Sequence, residues 1–324
     1  MRRLHRIVIL ILILVISVSL IGCSSGELTT EEKKLNIKVV VKMQEPGFWA
    51  VVQMGAEAAG REFNVNIDFD GPTYERDIDG QIEMVQEAID EDVDALVLAA
   101  SDYELLVPVA EKAKAAGIPV IIIDSNLNSD KIDSFIGTDN VDAGRKLGES
   151  LIDKVGAECR IVVMSFVKGT ATAVQREEGF FDEISQYEGI EVIDTLYCNS
   201  EESLAKQLTI DIVNSETEID AFVCLNAYGT VGTAYAIDEL GYAGEIKIIG
   251  FDSTPEEISF MEKDVIQSLV IQNPFNMGYL GVKYALDAIR NEKVPRSVNT
   301  GSEVIDKENM YLPENQKLVF PFTE

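Results

Sequence analysis

Histidine is almost missing from this chain: 324 residues hold one, His5. Beyond it no imidazole is available for a Ser-His-Asp or Cys-His arrangement or for an imidazole metal site. Many enzyme classes are thereby removed, though carboxylate chemistry stays open. Cysteine is scarce too, with four residues at positions 23, 159, 198 and 224. Cys159, Cys198 and Cys224 each lie in or beside an apolar run, where free cysteine packs as a small hydrophobe. An odd number without regular spacing fits neither a disulfide framework nor a zinc site. Positive charge is in short supply, 27 Lys and Arg against 56 Asp and Glu, a net charge of −29. Such a surface repels nucleic acid and anionic ligands. It suits a soluble body standing off an anionic membrane, and simple solubility accounts for it equally well.

What is present begins with a targeting pattern. Arg2, Arg3 and Arg6 precede an apolar stretch over residues 7–21, interrupted only by Ser17 and Ser19. The stretch is short for a membrane span and has the layout of a secretory signal. It ends in Leu20-Ile21-Gly22-Cys23, which resembles a bacterial lipobox, where a peptidase cuts before a cysteine that carries diacylglycerol. The small Gly22 and the polar Ser24-Ser25-Gly26 favour lipidation at Cys23 over an ordinary signal peptide or an uncleaved anchor. Acyl chains bind a bilayer through about 0.8 kcal/mol per buried methylene, so two or three hold firmly. Residues 1–22 are therefore expected as a lipoprotein signal peptide and 23–35 as a tether. The body is placed at the cell membrane, facing the extracellular or periplasmic side. Cleavage leaves 302 residues, enough for two domains. It also removes three of the 27 basic residues and no acidic one, taking the net charge from −29 to near −32.

From residue 36 a regular alternation sets in. Apolar, β-branched runs fall at 37–43, 65–69, 95–99, 119–123, 134–136, 160–164, 192–196, 221–225, 246–250 and 266–271. Helical spacing separates most of them, as at 75–91, 103–116, 143–155 and 230–240. Continuous hydrophobic strands alternating with amphipathic helices predict parallel sheets covered on both faces. About ten strands crowd a single open sheet, and chains of this length tend to split. A (β/α)8 barrel also alternates, but it would not join 119–123 to 134–136 without a helix. The fold class expected is α/β, with two doubly wound parallel-sheet lobes divided near Thr138.

Ligands of open α/β sheets bind off the carboxyl ends of the strands. The ends here carry Glu45, Phe48 and Trp49; Asp124, Ser125 and Asn126; Lys168-Gly169-Thr170 and then Arg176; Asn226; Asp252; and Gln272-Asn273-Pro274. Aromatic rings cover the C–H faces of a sugar ring. Carboxylates accept from hydroxyls, arginine donates, and amides do both. Hydrogen bonds to charged partners contribute roughly 1.5–3 kcal/mol each, against about 1 for neutral ones. Each residue has an ordinary reading as well. Phe48 or Trp49 can be the buried face of the first helix, and Asp124 and Asp252 can be helix caps. Arg176 can pair on the surface with Glu177 or Glu178, Asn226 can be a turn residue, and Gln272 can fill a hinge. Taken together, Phe48, Trp49, Asp124, Arg176, Asn226, Asp252 and Gln272 form the expected ligand-binding set for a neutral polyol.

The same positions carry a resemblance to the type I periplasmic binding proteins of the ribose/galactose group, over nearly all of residues 36–306. Its motifs are Glu45-Pro46-Gly47-Phe48-Trp49, Ala99-Ala100-Ser101-Asp102, Pro119 through Asp124, and Gly137-Thr138-Asp139-Asn140. Gly169-Thr170, Arg176, Glu178-Gly179-Phe180, Leu225-Asn226-Ala227, Gly250 through Pro255, and Val270 through Pro274 continue them. The resemblance implies that Phe48 and Trp49 border the sugar, that Asp124 faces Arg176, and that Asn226, Asp252 and Gln272 are ligands from the second lobe and hinge. Two departures point away from ribose itself: Ser125 stands where ribose binders have an arginine, and Asn199-Ser200 where they have an aromatic ligand. It further implies lobes of 36–138 plus 273–302 and of 139–272 plus 303–324, with a three-segment hinge.

The implied activity is capture of a monosaccharide, pentose or hexose, by hinge closure. Delivery is to an ABC permease, or alternatively to a membrane sensor. No cofactor, metal or nucleic acid is expected, and the chain is expected to be monomeric. A transcription regulator of the same fold would need a basic helix-turn-helix where the lipoprotein signal stands. A glycosidase would need a carboxylate pair, for which Asp124 and Asp252 are the candidates. Replacing Asp252 or Arg176 by Ala is expected to weaken binding by orders of magnitude while melting of the empty protein changes little.

Overall fold

The computed structural model describes residues 34–45, 47–215 and 218–320, so the expected signal peptide and Cys23 lie outside the described residues. The chain opens with β1 (Asn36–Val40), α1 (Phe48–Phe63), β2 (Asn66–Asp70), α2 (Ile78–Asp90), β3 (Ala95–Leu98), α3 (Val107–Ala115), β4 (Val120–Ile123) and β5 (Ser134–Gly137). A first crossing leads to α4 (Asn140–Lys154), β6 (Cys159–Ser165), α5 (Ala171–Ile184), β7 (Ile190–Tyr197), α6 (Glu202–Val213), β8 (Ala221–Cys224), α7 (Ala227–Leu240), β9 (Lys247–Phe251), α8 (Pro255–Glu262) and β10 (Ser268–Gln272). The chain crosses back for α9 (Pro274–Ile289) and β11 (Ser297–Asn299), and crosses once more for β12 (Ser302–Asp306) and α10 (Gln316–Val319).

Two six-stranded sheets result, ordered β11-β5-β4-β3-β1-β2 and β12-β10-β9-β8-β6-β7. Each is a doubly wound 2-1-3-4-5 arrangement with one extra edge strand. The central strands have the sequences ALVL, VIII and AFVC and are buried throughout, as covering on both faces requires. Several helices start where the sequence offers a cap: Asp77, Asp139, Thr170, Asn226, Thr254 and Asn273 each accept from a first-turn amide.

The expectation of parallel sheets fails at one pair, since β12 runs antiparallel to β10. The reason is the route of the chain. Strand β11 arrives at the cleft side of the first sheet, and Thr300-Gly301 passes it straight into the second without a helix. It therefore leaves the cleft as β12 while its neighbours run towards it. Gly301 takes φ +80° at that turn, a conformation open to glycine.

The three connecting segments are bonded to one another. Thr138 Oγ1 donates to Gln272 Oε1 at 2.8 Å, Asp139 N to Asn299 Oδ1 at 3.2 Å, and Thr300 N to Gly137 O at 2.9 Å. Within the second lobe, α4 and α5 lie backbone to backbone. A Cβ on Gly144 would stand 2.2 Å from the carbonyl oxygen of Arg176, and one on Gly179 1.9 Å from that of Val141. Only glycine allows this approach, which fixes where Arg176 enters the site.

Candidate ligand-binding site

Beyond Val40 the ladder of β1 ends, and residues 41–45 run on past the edge of the sheet. A cavity of ≈ 400 Å³ lies there, between the carboxyl ends of the two sheets. The first lobe contributes Lys42, Phe48, Trp49, Glu75 and Asp124, the second Thr172, Arg176, Asn226, Tyr228 and Asp252, and Gln272 comes from the hinge. All seven residues expected from the sequence are thus brought to one cavity.

Asp124 and Asp252 follow topologically equivalent strands, β4 and β9. Both have left-handed backbones, φ 57° and 81°, which aspartate tolerates better than most residues. Asp252 Oδ1 accepts from Gln272 Nε2 at 2.8 Å and Oδ2 from Ala227 N, at the start of α7, at 3.2 Å. Burial raises its pKa, an effect opposed by Arg176 and by the Gln272 hydrogen bond.

Arg176 is buried, so the ordinary reading of a surface pair with Glu177 or Glu178 does not hold. Its Nε donates to Asn140 Oδ1 at 2.8 Å and its Nη1 to Leu225 O at 2.7 Å, while the guanidinium stands 3.7 Å from the centre of the Phe251 ring. Burial lowers its pKa, and Asp252, Asp124 and Glu75 act the other way. Arginine stays charged through such an environment, so the cavity holds a fixed cation and donor.

Two buried charged residues in the wall, Lys42 and Glu75, had no place in the sequence reading. Lys42 Nζ lies 3.1 Å from Asp124 Oδ2, 3.2 Å from Glu75 Oε1 and 3.2 Å from Thr172 Oγ1 of the other lobe, and all four residues are buried. Burial acts to lower the lysine pKa, but Asp124 and Glu75 outweigh it and the net direction is up. Lys42 was missed because the run 37–43 reads as one strand, whereas the strand stops at Val40. Glu75 was missed because it reads as the first residue of a helix that begins at Ile78. The signal available was a lysine inside Val-Val-Val-Lys-Met.

The remaining residues do two things at once. Asn226 caps α7, accepting from Gly229 N at 2.9 Å, and its Nδ2 donates to Ser200 Oγ at 3.1 Å. Phe48 and Trp49 meet edge to face, centroids 5.0 Å apart, and Trp49 belongs both to the core of the first lobe and to the cavity wall. Glu45 accepts from Gly47 N and Trp49 N and so closes the open start of α1, with its pKa raised by burial. Ser125 is buried and stands outside the cavity lining.

Residues 37–293 match the family model for the periplasmic binding protein domain. The chain belongs to this family. This periplasmic binding protein is 25% identical over 265 residues to the D-allose-binding periplasmic protein of Escherichia coli (strain K12), covering 79% of this chain and 85% of that one. To the D-ribose/D-allose-binding protein of Pseudomonas aeruginosa it is 29% identical over 254 residues, 76% and 79% of the two chains. An ABC transporter solute binding protein from Agrobacterium vitis, solved with bound D-fucose, matches at TM-score 0.85 and 35% identity over 88% of this chain and 100% of its own. A carbohydrate transporter solute binding protein from Agrobacterium radiobacter, in complex with D-arabinose, matches at TM-score 0.85 and 29% identity over 89% and 99%. These relatives bind solutes for transport and are not enzymes.

Proposed function

We propose that this periplasmic binding protein captures a monosaccharide, pentose or hexose, between its lobes and hands it unchanged to an ABC importer. The observation that carries this is the cavity itself. It sets the Phe48 and Trp49 rings, suited to the C–H face of a sugar, in one wall with Asp124, Glu75, Lys42, Arg176, Asn226, Asp252 and Gln272, suited to its hydroxyls. Charges of both signs in the wall avoid an isolated buried charge. A ligand spanning the two lobes favours the closed arrangement by its differential affinity.

A thermal-shift screen of pentoses, hexoses, sugar alcohols and furanoses tests the reading. At 100 times Kd a ligand stabilises by about 2.7 kcal/mol, and the melting point should rise accordingly. Trp49 is the only tryptophan in the chain, so its fluorescence should change with the same ligand. The sugar should be recovered chemically intact. A set of sugars that leaves both signals flat, or one that is turned over, defeats the proposal.

The reading extends to the N-terminus, where Leu20-Ile21-Gly22-Cys23 supports a lipid anchor on Cys23. Cys23→Ser should move the protein from the membrane fraction to the soluble one. Unchanged partitioning would show that something else holds it.

A further inference from the structure

Directly after β7, Asn199 and Ser200 take φ of 53° and 55°, two consecutive non-glycine residues in the left-handed region. Such a conformation costs an L-residue free energy and persists where the surroundings impose it. What the turn delivers is one buried hydroxyl. Ser200 Oγ donates to Glu75 Oε2 of the first lobe and accepts from Asn226 Nδ2 of its own lobe at 3.1 Å. Glu75 Oε1 is turned to Lys42 at 3.2 Å. A chain Lys42–Glu75–Ser200–Asn226 therefore crosses the cleft along the cavity wall.

Several other contacts across the cleft are of different kinds. Arg76 and Glu201 form an ion pair at the rim, where solvent leaves little net stabilisation. Tyr103 N to Gly169 O is a long backbone bond of 3.4 Å. Lys42 to Thr172 is buried but runs from the charge that Glu75 already holds. Ser200 is bonded to a cavity residue of each lobe, Glu75 and Asn226, as Lys42 is through Asp124 and Thr172.

We propose that Ser200 is a positioning residue that couples lobe closure to the orientation of the Glu75 carboxylate and the Asn226 amide. The hydroxyl bridge exists only when the lobes are together, because its two ends belong to different lobes. It therefore stabilises the closed state and leaves the encounter of ligand with the open state untouched. Its effect falls on ligand dissociation and on the closed population. The ligand half of this statement rests on the proposed sugar capture; the closure half does not.

The test follows transient closure directly. In the ligand-free protein, a cysteine pair at the rim (Arg76→Cys with Glu201→Cys) reports closure by its rate of disulfide formation. Cys159, Cys198 and Cys224 are buried and do not compete. Ser200→Ala and Ser200→Gly, each added to that pair, should lower the trapping rate by about tenfold, the scale of one lost charged hydrogen bond. Without the pair, both should raise the dissociation rate of the best sugar from the screen by about tenfold, with the association rate within twofold. Trapping unchanged in both variants overturns the proposal. So does a loss in Ser200→Ala that Ser200→Gly does not share, since the backbone and not the hydroxyl would then be the cause. If no sugar binds the parent protein, the proposed function fails while the trapping rates still decide the role of Ser200.

Discussion

Arg176→Ala should lose sugar binding by at least two to three orders of magnitude and should also melt earlier. Removing the guanidinium takes away a cationic donor, and hydrogen bonds to charged groups are worth roughly 1.5–3 kcal/mol each. The sequence reading expected the empty protein to melt almost unchanged, and the structure alters that. Arg176 is buried, its Nη1 satisfies the Leu225 carbonyl, its Nε satisfies Asn140, and its face covers Phe251. Truncation leaves a hole, unpaired polar groups and the Asp252 carboxylate without its countercharge. A hole lined by unpaired polar groups costs about 3–5 kcal/mol, or roughly 6–20 °C of Tm in a lobe of this size. Asp252→Asn keeps shape and volume, so its loss should fall mainly on affinity. Calorimetric titration with scanning calorimetry of both variants separates the effects. A dissociation constant within threefold of the parent for Arg176→Ala would remove the residue from the site.

Lys42→Met should strongly destabilise the first lobe at neutral pH. The methionine fits the space but leaves Glu75 and Asp124 facing each other without the ammonium that stands 3.2 and 3.1 Å from them. Removing one partner of a buried ion pair typically costs about 3–5 kcal/mol. The pH dependence gives the signature. In the parent, the Lys42 pKa is raised, so the native state keeps a proton that the unfolded chain releases as pH climbs past about 10.4. The stabilisation from that charge is complete below this value and fades as pH rises through the higher folded pKa. The variant lacks this contribution at every pH, so its stability deficit should shrink as pH climbs above about 10.4 and the parent loses the charge. Urea unfolding of both proteins across that range measures it, and a deficit constant with pH would mean that lost packing, not charge, is the cause.

The fold was largely legible because its two signals are strong and local. Runs such as Val120–Ile123 and Ala221–Cys224 are apolar on both faces, and only a strand covered on both sides needs that. Strands β11 and β12 gave no such signal: Ser297–Asn299 and Ser302–Asp306 lie at sheet edges, where polar residues serve as well as apolar ones. Among the site residues, those that directly follow a strand or begin a helix were legible, such as Asp124, Asp252 and Asn226. The charged pair Lys42 and Glu75 was not, although it lies in the same wall. Its recognition depends on placing the end of β1 and the start of α2 to within two or three residues, and boundaries of that fineness are set by tertiary contacts. Asn199-Ser200 was noticed only as a departure from an aromatic ligand. That the pair forms a left-handed turn reaching into the opposite lobe is a property of packing, and no local propensity for serine announces it.

The repeated crossing of the chain between sheets bears on how the protein is made. The edge strand β11 of the first sheet and the helix α9 that packs along α1 are encoded after most of the second lobe. The second lobe in turn needs β12 and Val319, near the end of the chain. Translation therefore finishes neither half before residue 299 has left the ribosome. A nascent chain of this layout cannot close either sheet until its last strands have emerged. Its completion is deferred to the far side, where the last strands arrive together.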